Sequence, residues 1–261
     1  MSGSYRVAAG ILASRISGLA RESLMARALG TTIYADAVSA AFKIPNLLQN
    51  LLGEGTLSAA FIPEYARLSD DQDARAAGAL ARRVLWILAG LVTLVVAGGV
   101  LLTPVIVAIT LPGLEAQRRD LTIMAGRIAF FMTGMLVFSA WSLAILNAHR
   151  RFFTAYVAPV MWNLAMIVFL AINYGVQPNG RFVNRLMWVA VLGAVLQLTV
   201  QLPTLFKVEK NLRAKWAGAR AAAQGVVRAA VPTIFGRGAV QISGYIDYFL
   251  VSFLAAGTIS V

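Results

Sequence analysis

Apolar residues recur at the helical period in seven long stretches, separated by short polar or glycine-containing breaks. The most informative stretch runs from Asp36 to Glu54, DAVSAAFKIPNLLQNLLGE. Residues seven or eleven apart nearly superpose at 3.6 per turn, so Asp36, Lys43, Asn50 and Glu54 fall within about 40° of one another. Val38, Ala41, Phe42, Leu47, Leu48, Leu51 and Leu52 occupy the other faces. At 1.5 Å per residue the stretch measures roughly 27 Å, close to the thickness of a bilayer's hydrocarbon core. It fits a membrane-length helix with one charged stripe, which would face a bundle interior or a water-filled path. It also fits an amphipathic helix lying on the membrane surface, which needs no path.

The remaining stretches favour the first reading. A first helix is predicted over 4–29, with Arg15 and Glu22 on one face, Gly18 between them, and Arg21 and Arg27 pointing elsewhere. Gly30 follows as a C-terminal cap. The second helix continues from the charged stretch to about residue 66, with a bend expected at Pro45 and close backbone approach permitted at Gly53 and Gly55. Residues 68–83 form a polar connector whose second half reads as helical. Spans follow over about 84–109, 121–147, 155–174 and 186–206, and a seventh begins near 226. The third is almost wholly apolar and reads as lipid-facing. Gln197 and Gln201, four apart in the sixth, suit hydrogen bonding to a neighbouring helix. Residues 207–228 are basic and amphipathic, as expected of a segment resting on anionic head groups.

Composition sharpens this picture. The chain is 59% hydrophobic and 13% charged, whereas soluble domains are about 25% charged. The fold class is therefore an all-α polytopic membrane protein with about seven transmembrane helices. The net charge of +12 has a topological explanation. Twelve Lys and Arg fall in the loops after the second, fourth and sixth helices, and four in the loops between. The positive-inside rule then puts the N-terminus in the cytoplasm, and seven spans put residue 261 on the opposite side of the membrane. Nucleic acid is not needed to account for the charge. The absence of cysteine excludes disulfides and thiolate chemistry, and a single histidine, His149, argues against a histidine metal site or triad. The N-terminus has no cleavable signal pattern. No G-x-S-x-G, H-E-x-x-H, Walker A or dinucleotide fingerprint is present, so an enzyme is not expected. Arg15, Arg21, Lys43 and Arg237 outweigh the nearby acids. A cationic cavity inside a bundle suits an anionic amphiphile, with its head in the cavity and its tail in lipid.

Five motifs carry a family resemblance: SRISGLARESLMARALG; ADAVSAAFKIPNLLQNLLGEGTLSAAFIP; and the later NAHRRF, QLP and QISGYIDYFLVSFLAAG. Together they resemble the MurJ (MviN) family of lipid II flippases, in the multidrug/oligosaccharidyl-lipid/polysaccharide exporter superfamily. The resemblance spans the whole chain but about half of a family member. It implies fourteen helices in two lobes around a central cavity. Residues 1–225 would then form the six-helix first lobe with its basic connector, and 226–261 the first helix of the second. A separate chain, or the rest of a longer one, would supply the second lobe. The resemblance implies that Arg15, Arg21, Asp36, Lys43, Asn50 and Glu54 line the head-group site. It further implies that Asp247 binds a coupling cation, Na+ or H+; no other cofactor is expected. The implied partners are membrane lipids and lipid II or a related polyprenyl-pyrophosphate glycolipid, transported by alternating access. Many members carry two arginines where this chain has Gln49 and Asn50, which lowers the positive charge there. Two alternatives stand beside this reading: a flippase for another polyprenyl-linked glycan, and a non-transporting scaffold or lipid-binding pseudo-transporter.

Overall fold

A computed structural model describes residues 2–52, 54–70, 73–251 and 253, with side chains described except at 2–7, 44–45, 54, 70, 239–248 and 251. Among the described residues all regular structure is helical. The helices are α1 (Ser2–Leu29), α2 (Ile33–Leu52), α3 (Glu54–Thr56), α4 (Ile62–Asp70), α5 (Ala74–Thr110), α6 (Ala116–Ala148), α7 (Phe152–Ile172), α8 (Gly180–Val208) and α9 (Ala219–Val251). Four of them, α5 to α8, are long and apolar enough to cross a membrane. With α1, α2 and α9 they give the seven-helix architecture expected from the hydrophobic pattern.

Several helices start earlier than the pattern predicted. The polar second half of the first long connector is the beginning of α5, started by Asp73, whose side chain accepts from the Ala76 amide at 2.9 Å. Part of the basic segment forms the first two turns of α9. Hydropathy marks where a helix meets lipid, whereas caps mark where the helix begins. The end of α1 is as predicted: Gly30 adopts φ +57, and its amide donates to the Ala26 carbonyl at 2.9 Å.

Helix α6 is the centre of the bundle, flanked by α2, α5 and α8. It is buried along most of its length, while α5 turns Leu94, Leu101 and Ile109 outward. Helix α7 joins α8 to α1 on one side, and α9 lies against α5 on the other. One apolar core gathers α4, α5, α6 and the start of α9, including Phe61, Tyr65, Leu80, Trp141 and Val226. A second gathers α2, α6, α7 and α8 around Met132, Met166 and Met187. Gln197 and Gln201 both donate to the buried Ser139 hydroxyl, at 2.9 and 2.8 Å, so α6 and α8 share the polar bond predicted for that pair.

Polar contacts also fix the alternation of the loops. At one end, the Tyr65 hydroxyl of α4 donates to the Glu209 carboxylate at 2.5 Å and lies 2.8 Å from His149 Nε2. This joins the three even connections. His149 is presented by a turn in which Arg150 takes φ 58 and the amides of Arg150 and Arg151 close onto Asn147 and Leu146. At the other end, Asp36 meets Arg118, and Leu121 packs beside Gly180.

Candidate functional site: the charged faces of the first two helices

Two separate packing surfaces carry the first two helices. Helix α1 runs along α7 and α2 along α6, and the two scarcely touch each other. Their remaining faces hold three of the predicted site residues. Arg15 is exposed on α1, Lys43 is half-buried on α2, and Asn50 is exposed one further stretch along α2. Lys43 has an interaction partner within the chain. The Glu54 and Asp247 side chains lie outside the described residues.

Two of the predicted residues are drawn into contacts with neighbouring helices. Asp36 is closed to solvent and accepts a 2.7 Å bond from Arg118 Nη2, with side-chain exposures of 1% and 4%. Its carboxylate anchors the start of α2 to the start of α6, and does not lie open on the stripe with Asn50. A charge-assisted bond of this kind is about twice as strong as a neutral one. Arg118, one of the four basic residues that the hydrophobic pattern assigns to the loops between, is in the first turns of α6 and 3% exposed.

Arg21 was expected to point away from the Arg15 face. It turns toward α7, with its guanidinium carbon 4.4 Å from the centre of the Trp162 ring, a cation–π contact. It also pairs with Glu22 beside it. Arg21 is largely covered, with 14% of its side chain exposed, and its buried Nε has no hydrogen-bond partner. Trp162 is itself held from three sides. Its indole N–H donates to the Ala190 carbonyl of α8 at 3.0 Å, and its edge meets Phe42 of α2 at 6.4 Å. A Cβ at Gly193 would stand 2.8 Å from the ring, so only glycine lets α8 approach this closely. One tryptophan thus brings Arg21 of α1 near the residue preceding Lys43 of α2. Below it, Asn163 donates to the Ser17 hydroxyl at 3.0 Å and fixes the register of α1 on α7.

A further cation arrives from α9. The Arg237 guanidinium lies against Gly55, where any side chain would overlap it. The glycine beside Glu54 leaves room for this side chain of α9. Thr56 donates to the Leu51 carbonyl, and a π-helical turn follows over Leu57–Phe61. Such turns often mark functional positions in helices. Arg118 and Trp162 were missed by sequence reasoning. A basic residue at the head of an apolar stretch, at the same end as Asp36, was the available sign for Arg118. Nothing in the sequence singled out Trp162 from the other tryptophans.

A central helix ringed by α2, α5 and α8, with Arg15 and Lys43 left on the outer faces of α1 and α2, is an all-helical bundle of the membrane-spanning type. The chain belongs to the lipid II flippase MurJ family, whose family model matches residues 25–261. It is 33% identical to the lipid II flippase MurJ of Burkholderia cenocepacia over 256 residues, covering 95% of this chain and 49% of that protein. It is 31% identical to the probable lipid II flippase MurJ of Bdellovibrio bacteriovorus over 272 residues, covering all of this chain and 50% of the relative. A solved lipid II flippase MurJ in an inward closed conformation superposes with a TM-score of 0.67 at 22% identity, over 97% of this chain and 52% of the other. An inward-facing multidrug resistance MATE family transporter superposes at 0.72, with 19% identity over 95% and 55%. The chain therefore spans about half the length of the relatives it matches. Its family is one of transporters.

Proposed function

We propose that this chain forms the first lobe, residues 1–225, and the first helix of the second lobe, 226–261, of a lipid II flippase of the bacterial inner membrane. The observation that carries the reading is the family match over residues 25–261. The cationic faces of α1 and α2 support it. Arg15, Arg21 and Lys43, with Arg237 nearby, form a surface for a pyrophosphate head, while the polyprenyl tail remains in lipid. Asn50 and Glu54 extend that surface toward the sugar and peptide, and Asp36 holds α2 in place for it. Access would alternate as this lobe rocks against a second one, supplied by another chain or by further sequence. Asp247 is the candidate for coupling to Na+ or H+. The N-terminus and the Tyr65–His149–Glu209 end face the cytoplasm, where the basic loops belong.

Head-group binding tests the reading. Lipid II titrated into the detergent-purified chain should saturate, and Lys43→Ala or Arg21→Ala should each weaken binding about tenfold or more, the effect of losing one charge-assisted bond. Arg181→Ala, on the exposed start of α8, should leave it unchanged. Equal affinity in all variants would refute a head-group site on α1 and α2.

A further inference from the structure

A recess of about 380 Å³ lies between α5 and the start of α9, away from the α1–α2 faces. Arg83 and Ile87 line it from α5, and Arg220, Gln224, Val227 and Arg228 line it from α9. Its walls are fixed by packing. Ala223 and Val226 are buried in the same apolar core as Leu80, Val84 and Leu88. The connector before α9 is held onto α5 by the Arg82 bond to the Arg213 carbonyl, at 3.3 Å. Gly78 admits the Asn211 backbone at the same place. The three recess arginines are exposed, and among the described residues no carboxylate pairs with them.

Both helices change character at this depth. From Arg83, the same stripe of α5 continues through Ile87, Leu91 and Leu94, exposed by 38%, 38% and 73%, and no further charge follows before the end of α5. From Arg228, the stripe of α9 continues through Val231 and Phe235, the latter 75% exposed. Trp86, 69% exposed one turn from Arg83, marks the head-group level, where tryptophans concentrate. A phosphate held by arginine forks above two apolar tracks matches a lipid better than a free ion.

We infer that this recess binds the head group of an anionic glycerophospholipid. Arg83, Arg220 and Arg228 hold its phosphate, and its acyl chains run down the Ile87–Leu94 and Val231–Phe235 tracks. The bound lipid bridges the first six helices to α9. The site is independent of the lipid II reading and uses none of its residues.

Native mass spectrometry of the purified chain, given equimolar phosphatidylglycerol and phosphatidylcholine, tests the assignment. Phosphatidylglycerol adducts should predominate. Arg83→Gln, Arg220→Gln and Arg228→Gln should each reduce the preference about fivefold, as expected for one basic residue at a charged surface. Arg181→Gln should not. Quenching by brominated lipids supplies a readout in the unaltered recess. The part of the quenching that Trp86→Phe removes should be larger with brominated phosphatidylglycerol than with brominated phosphatidylcholine. Parity of the two lipids in either measurement would overturn the proposal. So would full displacement of phosphatidylglycerol by millimolar inorganic phosphate, which would identify a free-anion site.

Discussion

Asp36 and Arg118 show what a single charge does when its surroundings are dry. Breaking a buried pair by removing one member costs about 3–5 kcal/mol, because the other charge stays buried. Asp36→Ala should therefore lower the thermal unfolding temperature of the detergent-purified chain substantially. Asp36→Leu combined with Arg118→Met should cost less than Asp36→Ala alone, since it removes both charges and keeps apolar volume. An unfolding temperature unchanged by Asp36→Ala would show that the pair does not hold α2 to α6. This pair also marks a limit of sequence reading. Helical spacing puts Asp36 on the Lys43 stripe, but spacing within one helix says nothing about a partner 82 positions away. The contact that Arg21 makes was out of reach for the same reason: Trp162 lies on another helix. Gly30, Gln197 and Gln201 were legible because a cap depends on local backbone and an i,i+4 amide pair has few uses inside a span.

Elements were more legible than contacts. The long apolar runs set the number of spans, because burying unpaired backbone in lipid leaves helices as the only economical solution. Their starts were misplaced wherever a polar first turn lay outside the apolar window, as in α5 and α9. The charged stripe of α2 divides, in the structure, into a buried end at Asp36 and an open end at Asn50. That division is testable by thiol accessibility, since the chain has no native cysteine. Cysteines at Arg15, Lys43 and Asn50 should react with a membrane-impermeant maleimide in intact bilayers, reporting the proposed water-filled route. Cysteines at Asp36 and at Val38, which is wholly buried, should react at least tenfold more slowly, protected by α6. Equal protection at all five positions would mean that the faces of α1 and α2 are sealed in packing. Rapid labelling at Asp36 would place its carboxylate in water after all.

At the scale of the molecule, transport by alternating access requires two bodies that move against each other around one site. The described helices form one bundle around α6, with α9 docked beside it along α5, and in the proposed reading this bundle is one of the two bodies. The relatives it matches are about twice as long. Helix α9 carries Arg237 to Gly55, which in the proposed reading brings one cation toward the head-group surface. A homodimer would repeat the Arg15, Arg21 and Lys43 surface and add no complementary one. Residues 1–261 should therefore insert and bind an anionic head, yet fail to restore growth when the resident flippase of a host bacterium is depleted. Co-expression with the second half of a relative, such as that of Burkholderia cenocepacia, should restore growth. It should also return lipid II to the outer leaflet, measured by its accessibility to an externally added binding peptide. The same co-expression with Lys43→Ala should restore less of both. Rescue by residues 1–261 alone, with the intact chain confirmed in the membrane, would show that one lobe and one helix suffice for the movement.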